Sequence, residues 1–264
     1  ESFNLDQPLW ASGLPAGSLE DFHKALLPSG QMIQEGSRAA LESFFSSQKI
    51  RSTTDLERTI YANRELARDL VTSDLSEYFN LDSSDSDMQA LKEHYRIESG
   101  ELGEGGKMAL LASQALTKGV SRCVTIRVAN NLDSHQAAAW ENDQGPNQVE
   151  GFNSIAALID DLSSKPFHDG SGDSWMDHTT IVCFSEFGRT AMLNSGGGRN
   201  HSLINSMLLL GAGISGGQVI GASSDIAMQS EFVDLATGQV SENGEILTND
   251  HIARSLRQVG ATQT

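Results

Sequence analysis

Three runs of almost uninterrupted apolar residues constrain the fold of this chain more than any other feature. They are CVTIRVA (123–129), TTIVCFS (179–185) and INSMLLLGAG (204–213). Continuous apolar runs are typical of strands that are covered on both faces, as in a parallel sheet between helices. A segment with one apolar helical face, FNSIAALIDDLSS (152–164), lies between the first two runs. The order strand, helix, strand therefore predicts an α/β fold with a parallel sheet and helices on its faces.

The character of the sequence changes near residue 119. Before that point, amphipathic patterns predict helices joined by polar turns, over 18–27, 32–48, 53–71, 84–97 and 104–119. After it, apolar strands alternate with helices; a polar loop is predicted over 130–148 and a short helix over 249–260. We therefore predict one domain in two parts. A helical segment over 1–118 forms an insertion or cap, and the α/β core portion covers 119–264.

Charge and composition exclude several classes of function. The formal net charge of −17 argues against a nucleic-acid or anionic membrane surface, where Lys and Arg must meet phosphates. No apolar run approaches the roughly 20 residues of a membrane-spanning helix, and no signal-peptide pattern is visible. Cys123 and Cys183 lie in apolar runs and are expected to be buried thiols, with a disulfide between neighbouring strands as the alternative. Asp160 and Asp161 are expected on a solvated helix face.

A carboxylate and an imidazole stand two residues apart just after the first apolar run. Asp133 and His135 belong to NNLDSHQ (130–136), and ligands of open α/β sheets collect at the carboxyl ends of strands. Such a pair can converge on one divalent cation. The same pattern also fits a loop Asp that caps the next turn, and the sequence alone leaves both interpretations open.

A denser polar cluster follows the second apolar run, in VCFSEFGRTAMLNSGGGRNH (182–201). Glu186 stands one residue past the predicted strand, and Arg189 offers a rigid fork of donors for phosphate, sulfate or carboxylate. Three glycines then permit close approach of a ligand, and Arg199, Asn200 and His201 return to the same end of the sheet. The alternative is a surface loop in which Glu186 and Arg189 simply pair with each other.

These stretches resemble a bacterial family, the domain-of-unknown-function family 1501, which is similar to the sulfatase and alkaline-phosphatase superfamily. The resemblance rests on NLDSH (131–135), IVCFSEFGRT (181–190), GGGRNH (196–201) and LLLGAGISGGQVIGAS (208–223), a long and specific set that lies after residue 119. It implies an alkaline-phosphatase-like α/β/α sandwich around a mostly parallel sheet, with metals at the carboxyl ends of the strands.

The resemblance also assigns roles to individual residues. Asp133, His135 and His201 resemble the carboxylate and imidazole ligands of one divalent metal, which would be zinc, manganese or calcium; no organic cofactor is implied. Glu186 keeps the carboxylate that follows the strand. Phe187 stands where the superfamily commonly has a metal-binding His, so a full second metal site is not expected.

The predicted anion-binding residues are Arg189, Arg199 and Asn200. The family's usual Gly-Arg-Asp-His has Asn200 in place of its Asp, which keeps an acceptor but loses the negative charge. The superfamily's first strand, which supplies an acidic ligand beside a nucleophile, is missing from this sequence. We therefore expect a preceding N-terminal segment, or another chain, to complete the sheet. Family members often carry a twin-arginine export signal, which implies a periplasmic or extracellular location.

Two hypotheses of function follow. The first is a metal-dependent hydrolase of phosphate or sulfate esters, which would take an anionic ester or glycan substrate and whose nucleophile lies outside this chain. The second is a non-catalytic relative, a binding or structural and assembly component of a larger complex. Phe187, Asn200 and the missing strand favour the second hypothesis, whereas a metal among the four predicted ligands would favour the first.

Overall fold

The computed structural model describes residues 40, 43–47, 54, 75–167, 170–226 and 228–262. From Leu75 onward, the helices are α1 (Ser86–His94), α2 (Gly103–Thr117), α3 (Ala137–Asn142), α4 (Gln144–Ser164) and α5 (Asn249–Thr262). The strands are short: β1 (Thr180–Cys183), β2 (Gly188–Arg189), β3 (His201–Ser202), β4 (Leu208–Gly211), β5 (Phe232–Val233) and β6 (Glu245–Ile246). Short 3-10 turns cover Leu75–Phe79 and Trp175–His178.

Several predicted helices are confirmed. The patterns over 84–97, 104–119, 152–164 and 249–260 correspond to α1, α2, α4 and α5. The predicted helices over 18–27 and 53–71 lie outside the described residues, apart from Thr54, and residues 43–47 of the 32–48 prediction are helical.

The loop predicted over 130–148 is partly wrong, because α3 and the first turn of α4 occupy its second half. The three alanines that open α3 are strong helix formers, and a proline is tolerated in the first turn of a helix, where Pro146 lies. The residues around them are polar, so the sequence pattern did not predict the start of α3 or of α4.

The strands pair in three separate antiparallel ribbons. In the first, β1 pairs with β4, with Thr180 opposite Gly211 and Cys183 opposite Leu208. The second joins β2 to β3, and the third joins β5 to β6. The predicted strands over 179–185 and 204–213 therefore exist, but they pair with each other in antiparallel fashion. The described residues form no parallel sheet, so the mostly parallel sandwich stays a prediction.

The first apolar run, 123–129, belongs to no strand. Within the described part of the chain, the backbone groups of residues 124–130 make no hydrogen bond. The side chains nevertheless alternate: Val124, Ile126 and Val128 are half-buried, whereas Thr125 and Arg127 are exposed. Alternation of this kind is the burial pattern of a strand with one covered face. The run therefore has strand-like burial without a partner strand.

Helices α2 and α4 form the main packed layer around the site. Residues 109–115 of α2 are all buried, which is typical of a core helix. From α4, the side chains of Ile155, Leu158 and Leu162 are buried as well. The 123–129 run lies against this pair, because the Val128 carbonyl oxygen approaches both Gly105 of α2 and Gly151 of α4. The helix pair thus supports the chain that leads into Asp133.

Gly105 provides a test of this packing. A Cβ added there would lie 2.3 Å from the Val128 carbonyl oxygen and 2.8 Å from the Ser154 hydroxyl oxygen. We expect Gly105→Ala to lower the free energy of unfolding by about 1–3 kcal/mol, since overpacking forces the backbone to shift. Gly145→Ala in α4 is the matched control, because nothing lies within 4 Å of its added Cβ. Urea denaturation should leave the control unchanged or slightly stabilised, and equal losses in both variants would contradict the packing described.

A buried polar network joins α2 to α4. The Asp161 carboxylate, only 5% exposed, accepts hydrogen bonds from the Tyr95 hydroxyl (2.9 Å), the Lys165 ammonium (2.8 Å) and the Ser113 hydroxyl. Lys165 also donates to Ser113 at 2.9 Å. Burial, and then the negative charge of Asp161, raise the pKa of Tyr95 well above its ordinary value. The prediction of a solvated face at Asp161 is therefore wrong, whereas its neighbour Asp160 is exposed.

The chain divides into two compact units. One comprises Gln89–Thr117 and Ser121–Thr264, and the other takes in the chain to Met88 together with Lys118–Val120. The division predicted at residue 118 stays a prediction. All the predicted site residues belong to the first of these units. Among the described residues, no helix combines the length and apolar character needed to cross a membrane.

Both cysteines are free thiols. Cys123 is exposed, which contradicts the expected burial, because the run that carries it packs only one of its faces. Cys183 at the end of β1 is half-buried, and burial raises the pKa of its thiol. The Cys183 thiol is therefore expected to stay protonated and weakly nucleophilic near neutral pH.

Candidate metal centre

Asp133, His135 and His201 meet at one point on the surface of the unit. Their ligand atoms all lie within 4.8 Å of one another. The Nε2 atoms of the two imidazoles are 3.0 Å apart, and the His135 Nε2 lies 3.5 Å from Asp133 Oδ1. The Asp133 and His201 side chains are exposed and His135 is half-buried. Three of the four predicted metal ligands are thus brought together.

The β2–β3 ribbon positions His201. Arg189 in β2 lies directly opposite His201 in β3, and the chain between the two strands contains the three glycines. Phe187, just before β2, stacks on the His201 ring with the ring centres 3.6 Å apart and the planes at 20°. The His201 imidazole, which projects from the ribbon, is therefore in contact with the Phe187 ring.

The glycine loop docks on the segment that carries Asp133 and His135. The Arg199 backbone N–H donates to the Ser134 carbonyl (2.9 Å), and the Ala137 N–H donates to the Gly196 carbonyl (3.0 Å). A Cβ at Gly198 would lie 2.3 Å from the His135 carbonyl carbon. Only glycine allows so close an approach of two backbones. The glycines thus allow the backbones of the two loops to come into contact, and this contact brings His201 close to His135.

Asn194 organises the glycine loop from within. Its side-chain oxygen accepts hydrogen bonds from the backbone N–H groups of Gly196 (2.8 Å) and Gly198 (3.1 Å). Its side-chain nitrogen donates to the His135 carbonyl and to the Asn200 side-chain oxygen, both at 3.0 Å. One amide side chain therefore ties the loop to the His135 segment. Sequence reasoning missed this role, although Asn before a glycine turn is a recognisable turn signal.

The Arg189 guanidinium holds backbone carbonyls beside the cluster. It donates to the carbonyls of Leu132 (2.8 Å) and Arg199 (3.2 Å) and lies 3.3 Å from the Asp133 carboxylate. The Arg189 side chain is only 13% exposed, against 80% for Asp133. These bonds use three of the five guanidinium N–H groups. Arg189 therefore lies at the predicted site, with a mainly structural set of partners.

Arg199 is held in a similar way. Its guanidinium donates to the carbonyls of Thr190 (2.7 Å) and Ala191, and it lies 4.2 Å from the centre of the Trp140 ring. Trp140 is carried by α3, the helix that the sequence pattern did not reveal. A cation over an indole face is a favourable contact. The run of alanines before Trp140 was the available signal for this helix.

Two predicted site residues, Glu186 and Asn200, do not belong to the cluster. Glu186 is exposed and does not join the group of potential metal ligands found among the described residues. Asn200 is bonded within the loop, where its carbonyl accepts from the Thr190 N–H at 2.9 Å and its side chain accepts from Asn194. A metal role for Glu186 and an anion-binding role for Asn200 stay predictions.

The donor set of one carboxylate and two imidazoles fits a divalent metal ion. Zinc is bound by imidazole nitrogen and carboxylate oxygen at about 2.0–2.2 Å, which places neighbouring donor atoms about 3–3.5 Å apart. The observed separations of 3.0 and 3.5 Å match that spacing. Asp133, His135 and His201 together could therefore hold one divalent metal ion.

Side-chain nucleophiles near the cluster are inaccessible or already bonded. Ser134, between two of the potential ligands, is 1% exposed, and its hydroxyl oxygen has no hydrogen-bond partner among the described residues. Ser185 is exposed, but its hydroxyl donates to the Phe187 carbonyl at 2.9 Å. Neither hydroxyl is paired with a general base. The source of a nucleophile for ester cleavage stays a prediction.

Comparison with known protein families identifies a match over most of the chain. Residues 11–243 match the profile of the family described as "Protein of unknown function (DUF1501)". No curated protein and no solved structure matches the chain. The family match covers most of the 264 residues and includes every residue of the cluster. The chain therefore belongs to the family of proteins of unknown function DUF1501.

Proposed function

We propose that Asp133, His135 and His201 bind one divalent ion of the zinc type, and that this protein hydrolyses anionic esters at the site. The observation that carries the proposal is the convergence of one carboxylate and two imidazoles within 4.8 Å. These residues come from two loops that are docked together by backbone hydrogen bonds. Residues 66 positions apart would not converge in this way without a specific fold.

The exposure of the cluster supports a catalytic over a purely structural metal. Structural zinc sites are closed by four protein ligands, whereas catalytic sites have three protein ligands and an open position. A bound ion of this kind polarises an ester oxygen and offsets the charge that develops in the transition state. Asp133 and His201 are exposed, so a substrate from solvent has access to the open side.

Residues of this chain also support the choice of an anionic ester. Arg189 lies 3.3 Å from Asp133 and retains guanidinium N–H groups beyond the three that bind its partners. A guanidinium beside the open side of the cluster attracts phosphate or sulfate oxygens. The net charge of −17 does not oppose this, because a local cation dominates the field at short range.

A titration of the whole protein tests the proposal. We expect calorimetry to show one zinc ion bound per chain, with weaker binding of manganese and the weakest binding of calcium. The zinc-loaded protein is then assayed with p-nitrophenyl phosphate and p-nitrophenyl sulfate. Zinc binding with ester turnover supports the hydrolase, and zinc binding without turnover supports a metal-dependent binding protein instead. Failure to bind any of the three ions would overturn the metal site.

A second candidate function, an assembly component, rests on a separate observation. The backbone of residues 124–130 is unpaired within the described chain, and Phe184 beside β1 is 64% exposed. Backbone groups of a strand-like segment are normally satisfied by a neighbouring strand. We propose that an N-terminal segment or another chain supplies that strand. Size-exclusion chromatography with light scattering distinguishes a stable monomer, which contradicts completion by another chain, from a defined oligomer.

A further inference from the structure

Phe187 is the closest aromatic neighbour of a predicted metal ligand. Its ring centre lies 3.6 Å from that of His201, and the two planes are nearly parallel at 20°. On the sequence, Phe187 counts only as a residue that cannot bind a metal. In the structure it lies against the imidazole of a residue that can. Its ring also lies 5.1 Å from the guanidinium carbon of Arg189, the residue opposite His201 in the ribbon.

Apart from the stacking contact with Phe187, few interactions orient the His201 ring. A metal-binding histidine usually donates its second ring nitrogen to a carboxylate or carbonyl, which fixes the ring. In the described chain, the Nδ1 atom of His201 makes no hydrogen bond, and its Nε2 meets only the Nε2 of His135. The residue is exposed and sits on a strand of two residues. An exposed imidazole with one contact would otherwise sample several rotamers.

Building on the proposed function, we infer that Phe187 is a positioning residue whose ring fixes the His201 imidazole toward Asp133 and His135. A stacked aromatic pair stabilises one mutual orientation of its two rings, beyond the effect of the area that it buries. If the His201 ring is already fixed before the ion binds, less side-chain conformational entropy is lost on binding. Phe187 therefore acts on the metal through His201 and has no contact with the metal itself.

The test compares Phe187→Leu with Phe187→Tyr in the whole protein. Leucine keeps an apolar side chain but removes the ring, whereas tyrosine keeps the ring. We expect the zinc dissociation constant of Phe187→Leu to rise about 10-fold, the lower end of effects seen when support for a ligand is lost. The zinc dissociation constant of Phe187→Tyr should stay within about threefold of the parent's, because tyrosine keeps the stacked ring.

A cobalt spectrum supplies the readout that a general loss of stability does not change. The visible absorption of bound Co²⁺ reports the arrangement of its ligands, so Phe187→Leu should alter the spectrum and Phe187→Tyr should preserve it. Equal zinc affinity and equal spectra in the parent and Phe187→Leu would overturn the inference and leave the metal site intact. Equal weakening in both variants would overturn it too, because tyrosine retains the ring. If the parent protein itself bound no metal, the proposed function would fail first.

Discussion

Replacing Asp133 and His201 together by alanine is expected to abolish stoichiometric zinc binding. The double variant removes two of the three donors that lie within 4.8 Å of one another. Loss of an outer partner of a metal ligand costs up to about 100-fold in affinity, so loss of two ligands should cost at least that much. Elemental analysis of protein purified without chelator, followed by zinc titration, measures the change directly.

The chain offers a matched control for this experiment. Asp173 and His178 form another Asp–His pair, with 3.0 Å between the carboxylate oxygen and Nε2. No third potential ligand joins that pair among the described residues. Asp173→Ala/His178→Ala should therefore retain full zinc binding. If both double variants bound zinc like the parent, or both lost it, the assignment of the metal to the three-residue cluster would be refuted.

Stability measurements separate a metal role of Asp133 from a purely structural ion pair with Arg189. If Asp133 served only to pair with Arg189, its removal would change stability and leave zinc binding unaffected. That ion pair spans 3.3 Å, but the Asp133 side chain is 80% exposed. Exposed pairs contribute about 0–1 kcal/mol. We therefore expect Asp133→Ala to lower the free energy of unfolding by no more than that, while zinc binding falls sharply.

Asp133 and His135 were predictable from their position after an apolar run, and the metal role of His201 followed from the family resemblance, but the means by which the three residues converge was not predictable. A parallel sheet was expected to bring Asp133 and His201 to one edge. In the structure, the docking of the glycine loop on residues 134–137 does so. Close backbone contact between two loops leaves no periodic pattern in a sequence. Only the glycines indicate it, and they fit a ligand-binding loop equally well.

The two arginines illustrate a further limit of sequence reasoning. A guanidinium near glycines suggests anion binding. Residue type reveals the hydrogen-bond donors, but it does not reveal which acceptors they contact. In the structure, Arg189 and Arg199 bind backbone carbonyls of the loops around them. Those carbonyls belong to the irregular chain, which must find donors outside regular strands and helices. Their number and position depend on the tertiary structure.

The same limit explains the error at Asp161. Asp160 and Asp161 are adjacent and identical, and a local pattern assigns both to a solvated face. One residue of helix corresponds to a rotation of about 100°, which is enough to place one carboxylate outside and its neighbour inside. The partners that make burial of Asp161 tolerable are Tyr95, Ser113 and Lys165. The first two are distant in sequence, so the pattern around Asp161 did not reveal them.

Asp161→Asn is expected to cause the largest loss of stability of any single substitution considered for this protein. Breaking a buried ion pair by removing one partner costs about 3–5 kcal/mol. The lower end applies here, because the Lys165 side chain is 27% exposed and water can partly solvate the remaining ammonium. Tyr95, Ser113 and Lys165 all donate to the same carboxylate oxygen, Oδ2, and a neutral amide oxygen in that place accepts these hydrogen bonds more weakly than a charged one.

Urea denaturation of three variants tests whether the buried charge is responsible. Asp160→Asn makes the same chemical change one residue away, on the exposed side of α4, and should change the free energy of unfolding by less than about 0.5 kcal/mol. Ser113→Ala removes a single buried donor to Asp161 and should cost about 1 kcal/mol. The expected order of destabilisation is therefore Asp161→Asn, Ser113→Ala, Asp160→Asn. Similar losses for the two adjacent aspartates would mean that Asp161 does not form the link between α2 and α4, and that these helices are held together by their apolar contacts alone.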